Sequence, residues 1–294
     1  MFYQRLVAAA GLLAALASAS SAAAAGASHT TAPSIADGFV SVAGGGAVFD
    51  YEDGSSQTAR GLSVEGMASG SYQFSTTLGF QGDAVFRSQG ITFDGQTYGY
   101  TDRSFDGALH AFYRDEAYLL GGFAQLGTDQ ITVDGSSLGA SLDRAYAGAE
   151  GQAFLGNFTV YGQVAGERLT EGGMSVATGF LGNAEVRYFL TPNLKIEAHV
   201  GDEHLSVDSS SYSIDIAKAG IGAEYRLDDK PFSLFAKYDF ARETASGSSG
   251  SLTDNRLLVG VKFNFGTDTL FNRDRSGASL KPVESGLTLF GLPS

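Results

Sequence analysis

The chain has 294 residues, with 40 glycines, 5 prolines, no cysteine, no tryptophan and a net charge of −13. Without cysteine there is no disulfide framework and no thiolate metal site, and four scattered histidines (His29, His110, His199, His204) argue against a zinc enzyme. The acid excess and the lack of any Lys/Arg cluster argue against nucleic acid as a partner.

The first residues, MFYQRLVAAAGLLAALASASSAAAAGA, join a short start carrying Arg5 to an apolar stretch from Leu6 to about Ala19 and then a run of small residues. That order predicts a secretory signal peptide over residues 1–25, cleaved near Ala25, because the apolar part is too short to span a bilayer. Residues 26–37 read as an N-terminal periplasmic linker. No later stretch offers the about 20 apolar residues of a spanning helix, so any membrane crossing must use strands.

From Gly38 onward, short alternating segments follow one another with turn clusters between them, which reads as all-β. Twelve strands are predicted in chain order: 38–49, 59–69, 76–88, 102–113, 117–127, 141–155, 157–168, 175–190, 193–205, 214–227, 231–242 and 254–266. Ten or fourteen would require merging or splitting segments, most plausibly near GFVSVAGGGAVFD, which alternates poorly. The GGG at 44–46 lacks the Lys-Ser/Thr and helix of a phosphate loop, and reads instead as a place for close packing.

Within the strands one face is oily and the other ionic. In LKIEAHV, Leu194, Ile196, Ala198 and Val200 oppose Lys195, Glu197 and His199; in LLVGVKFNFG, Val259, Val261, Phe263 and Phe265 oppose Lys262 and Asn264. A soluble sandwich alternates too, but here the connections also alternate, short near 114–117, 155–157, 191–193 and 228–231, long near 50–58, 89–101, 128–140, 169–175, 206–213 and 243–253. Aromatics gather beside the short turns: Tyr72, Phe74, Phe112, Tyr113, Tyr118, Phe154, Phe158, Tyr188, Tyr225, Phe232, Phe263 and Phe265. One trimmed end with a ring of aromatics and one elaborated end predict a closed antiparallel transmembrane β-barrel with lipid outside and water within. ITFDG at 91–95 returns as ITVDG at 131–135, and the Asp-Gly pairs predict that two outer loops continue as β-ribbons.

The phasing turns a set of charged residues inward: Glu65, Asp83, Arg87, Asp106, His110, Glu150, Glu167, Glu185, Arg187, Lys195, Glu197, His199, Lys218, Glu224, Arg226, Lys237, Asp239, Arg256 and Lys262. A tight hairpin at Pro192 would set Arg187 across from Glu197 and Glu185 across from His199. Two consequences are open: the charges line a conducting pore, or they pair across the bore and close it.

These features resemble the porin-like β-barrel proteins of Gram-negative outer membranes. The last strand resembles that family's signal for the barrel-insertion machinery through Gly260, Phe263 and Phe265, although Leu258 stands where a polar residue is usual and about 28 residues follow Phe265. The resemblance implies an outer-membrane location, contact with outer-membrane lipid, no cofactor, and passage of small hydrophilic solutes or ions.

The barrel is thus expected over 38–266. Residues 267–294, charged and without periodicity, are expected to form a periplasmic extension, disordered rather than plugging the barrel; the closing LTLFGL could dock in the barrel mouth or pair with a partner. EHLS at 203–206 is similar to the His-x-Ser of outer-membrane phospholipases, with His204 and Ser206 facing lipid near the outer rim. The downstream context of those enzymes is missing. The sequence reads as a passive channel and not an enzyme, with a sealed structural or surface-interacting barrel as the second reading and a lipid hydrolase as the third.

Overall fold

The computed structural model describes residues 35–52, 56–94, 99–133, 136–208, 212–246 and 250–286. The expected signal peptide and all but the last three residues of the expected linker lie outside them, as does the final LTLFGL. Twelve antiparallel strands close on themselves: β1 (Ile35–Glu52), β2 (Ser56–Gln73), β3 (Leu78–Phe93), β4 (Gly99–Arg114), β5 (Tyr118–Val133), β6 (Ser136–Leu155), β7 (Phe158–Glu171), β8 (Met174–Thr191), β9 (Leu194–Val207), β10 (Ser213–Arg226), β11 (Phe232–Ala245) and β12 (Ser251–Phe265). Closure runs from Gly38 opposite Phe265 to Glu52 opposite Ser251, leaving no open sheet edge to meet hydrocarbon.

Each expected strand is present. Most run several residues farther at the long-loop end, because the outer loops continue as hairpins: β5 and β6 stay paired out to Val133 opposite Ser136. Asp37, assigned above to a linker, is instead part of β1, where Ile35 pairs with Gln73.

The side chains obey the strand's period of two. Leu62, Leu109, Leu126, Val164, Val200 and Val259 are exposed on the outside, Leu62 at 75%. A water-soluble fold would bury such residues; a bilayer solvates them. At the short-turn end, outward rings pair into a girdle: Phe74 with Phe80 at 5.3 Å, Tyr113 with Tyr118 at 5.9 Å, Phe158 with Tyr188 at 4.5 Å and Phe232 with Phe263 at 5.5 Å. Phe112 and Phe154 do not belong to it. They share the inward parity of Arg114 and Gln152 and pack with Leu119, Tyr161 and Leu280 inside the barrel.

The largest correction concerns the tail. Residues 267–286 do not extend into the periplasm; they turn back and fill part of the barrel. Gly266 makes the reversal at φ 95°, where a Cβ would strike the backbone of Ala36. Asp37 locks the turn, its carboxylate accepting from Thr267 N (3.0 Å), Thr267 Oγ1 (2.5 Å) and Ala278 N (2.7 Å). Between these contacts lies α1 (Leu270–Ser276), N-capped by Thr269, whose hydroxyl accepts from Asn272 N at 3.0 Å. A tail of this composition stays disordered in water because it cannot bury enough apolar surface, but here the barrel supplies partners for five of its charged side chains and for several of its backbone groups.

Candidate functional site

The candidate site is the lumen. All nineteen residues assigned to the inner face point inward, and the expected register is present, with Glu185 opposite His199 and Arg187 opposite Glu197. Parity decides this: a one-residue slip would send every one of these charges into lipid.

The charges are knitted together rather than left free. Arg87 meets Glu65 at 3.1 Å and Asp106 at 3.7 Å, and Lys237 meets Glu65 at 3.0 Å from β11, past β12 and β1. His110 is enclosed between Asp83 (2.8 Å) and Glu150 (2.6 Å), and Tyr161 donates to Glu150 at 2.9 Å. Lys195 pairs with Glu197 at 2.6 Å, and His199 lies 3.6 Å from Asp239. Arg187 does not bridge to Glu197 as its register suggests. It turns to Glu185 at 2.6 Å and to Asp274 of the tail at 2.7 Å.

The tail enters at the short-turn end and climbs. Phe271 N donates to Pro192 O at 3.0 Å, and Arg275 donates to Gly156 O and Phe158 O at 2.7 and 3.0 Å, seating α1 in the periplasmic mouth. Arg273 bonds both oxygens of Glu224 at 3.0 and 2.9 Å and also reaches Asn264. Burial works to raise the pKa of Asp274, but Arg187, the Thr159 hydroxyl and Arg275 outweigh it and hold the carboxyl below its usual range.

Beyond α1 the backbone is gripped by glutamines. Gln81 donates to Leu280 O at 2.8 Å and accepts from Leu280 N at 3.1 Å; Gln125 does the same at Val283, at 3.0 and 2.7 Å. Gln152 donates to Ser279 O at 3.0 Å and Gln163 to Lys281 O at 3.1 Å. The tail's charges reach both sides: Lys281 to Glu185 (2.5 Å) and Glu197 (3.1 Å), and Glu284 to Arg87 on β3 and Lys237 on β11 (both 3.6 Å). These glutamines, together with Arg144, Asp129 and Tyr161, went unassigned in the sequence although they occupy inward positions by the same alternation. A search for charge alone passes over neutral amides.

The tail leaves room on one side. A cavity of about 200 Å³ lies between it and the wall formed by β8–β12 with β1 and β2, and Phe39, Glu65, Lys195, Phe235, Lys237 and Lys262 are among the residues lining it. Lys262, the charge in the midst of the last strand's apolar residues, sits with its ammonium 4.3 Å from the Phe39 ring and 2.9 Å from Glu224.

On the outer surface, His204 and Ser206 share the outward face of β9. His204 Nδ1 lies 2.6 Å from Asp215 Oδ1 on β10, and its ring packs on Phe180 at 5.4 Å. Among the described residues no hydrogen bond joins Ser206 to His204, so the relay a serine nucleophile needs is not assembled here.

The last-strand residues are placed as follows. Phe263 is exposed to the outside, Phe265 lies over Gly38 of β1, and Gly260 lies against the Phe235 ring; Leu258, standing at the usually polar place, faces inward and is fully buried.

No protein-family profile matches the chain, and neither does any curated protein. Solved structures do. The translocator domain of the autotransporter NalP from Neisseria meningitidis is similar with a TM-score of 0.54 at 15% identity, over 88% of this chain and 98% of that one. An outer-membrane channel from Pseudomonas putida F1 is similar with a TM-score of 0.57 at 11% identity, over 82% and 99%. Closed strand pairing, an outward apolar band and an aromatic girdle define an outer-membrane β-barrel of the Gram-negative type. Its architecture is one that outer-membrane channels and translocator domains share.

Proposed function

We propose that this barrel is a narrow outer-membrane channel for passive diffusion of small hydrophilic solutes or ions, its bore restricted by its own C-terminal segment. The observation that carries this reading is the asymmetric lumen: the tail packs on one wall, and a cavity bordered by charged side chains of both signs remains along the other. Such a lining orients polar solutes and sets ion preference without covalent chemistry or a cofactor. The periplasmic mouth holds α1, so the docked tail sets the conductance.

The test is single-channel current in a planar bilayer for the full chain and for a chain ending at Gly266, each first shown to be folded by circular dichroism and heat-modifiable gel mobility. Small or intermittent current from the full chain and a severalfold larger one from the shortened chain are expected. No current from either folded protein at any voltage would replace the channel with a sealed barrel whose outer loops make the contacts. Gly260, Phe263 and Phe265 are proposed to present the last strand to the insertion machinery; slower assembly of a Phe263→Ala, Phe265→Ala double variant in vitro with that machinery, and not without it, would support this role.

A further inference from the structure

A segment that merely fills space is held by packing; this one is read. Beyond α1, each kind of group on the tail meets a different kind of group on the barrel. The backbone amides at Leu280 and Val283 are each paired at both N–H and C=O by one glutamine side chain, Gln81 and Gln125. The apolar side chains enter separate pockets, Leu280 among Phe112, Leu119 and Tyr161, and Val283 among Phe123, Tyr146 and Leu181. The charges of Lys281 and Glu284 each meet two opposite charges. Pro282 needs no partner for an N–H, and it favours an extended Lys281 before it.

Backbone bonds that ignore sequence, combined with pockets and charges that select it, form the recognition logic of grooves that bind extended peptides. We propose that this face of the lumen is a peptide-recognition site, filled in cis by residues 278–286 and able to take the same extended pattern, Ser-Leu-Lys-Pro-Val-Glu, from a free peptide. The claim concerns binding and stands whether or not the lumen conducts.

Two features make the occupant exchangeable. The described backbone bonds of residues 278–286 go to side chains and not to a strand, so withdrawal breaks no rung of the barrel ladder. Covalently, the segment is joined to the barrel only through Gly266 and the turn that follows it. On withdrawal, water can enter the lumen and solvate the buried ions left behind, which limits the penalty that a sealed interior would impose.

The experiment uses the whole folded chain. A protease site is inserted between Thr267 and Asp268, at the exposed periplasmic mouth, and cut after folding in detergent. The probe is a synthetic peptide of residues 268–286 with a fluorophore at its N-terminus, followed by anisotropy. Uncut protein is expected to leave the probe free. Cut protein is expected to bind it, to release it to excess unlabelled peptide, and to bind a charge-swapped peptide (Lys281→Glu with Glu284→Lys) at least about tenfold more weakly. Gln125→Leu in the cut protein should weaken the probe by about tenfold or more while barrel strand content is unchanged. Failure of the cut protein to exchange its tail over days, loss of the tail with no binding of the probe, or equal binding of the swapped peptide would each overturn the proposal.

Discussion

The two walls of the lumen hold the same tail by different physics. From β3 to β7, neutral glutamines meet most of the tail's bonded backbone, with Arg87 and Arg114 the charged contacts on that side; from β8 to β12, ions dominate, most densely at Glu224, which faces Arg273, Lys262 and Lys195 at 2.9, 2.9 and 3.7 Å. An amide pair costs little to desolvate and returns a modest net energy wherever it forms. An ion cluster costs much more to bury, and it is worth having only while every partner is present. The amide wall therefore tolerates sliding and exchange, whereas the ionic wall enforces one register.

That contrast can be broken from either side. The largest effect is expected from Glu224→Gln, which leaves Lys262 and Arg273 without their carboxylate and Lys195 with Glu197 alone. Loss of a buried ionic partner costs about 3–5 kcal/mol, seen as a lowered urea midpoint and as protease access to α1. Gln125→Leu, on the other wall, should cost about 2 kcal/mol of tail docking by stranding both backbone groups of Val283, with barrel unfolding barely moved; equal losses of barrel stability from the two variants would erase the distinction between the walls.

Gly266→Ala tests whether both walls depend on one turn. A side chain at φ 95° meets the backbone of Ala36, so docking should weaken by about 1–2 kcal/mol, read as faster proteolysis at residues 267–269.

The smallest effect is that of pH on the mouth. Because the Asp274 carboxyl is held below its ordinary value when docked, its contribution is complete above the undocked value and is lost as pH falls through the depressed one. Tail release should therefore begin only as pH falls below the ordinary carboxyl range of about 4, and Asp274→Asn should flatten that part of the profile; an unchanged profile would remove Asp274 from the lock.

The glutamines show why legibility stopped where it did. Gln81, Gln125, Gln152 and Gln163 stand at inward positions that alternation marks as plainly as it marks Glu150 or Arg187, yet nothing local says that a glutamine is aimed at a backbone 118 to 199 residues away. The same holds for Asp37: in sequence it precedes the first alternating segment, and only the closed barrel brings it to Thr267 and Ala278. His204 is a further case, since Asp215 reaches it through the β9–β10 register.

Alternation, together with the short and long connections, marked the twelve strands and the parity of the nineteen charged residues, though not the inward facing of Phe112 and Phe154. The physical reason is that a period of two, read beside lipid, leaves one side oily and the other wet along every strand. The position of residues 267–286 was decided only by tertiary structure. Their composition has too little apolar surface to order alone, and their fold becomes favourable once a ring of twelve strands supplies amides, pockets and counter-ions from residues far apart in the chain.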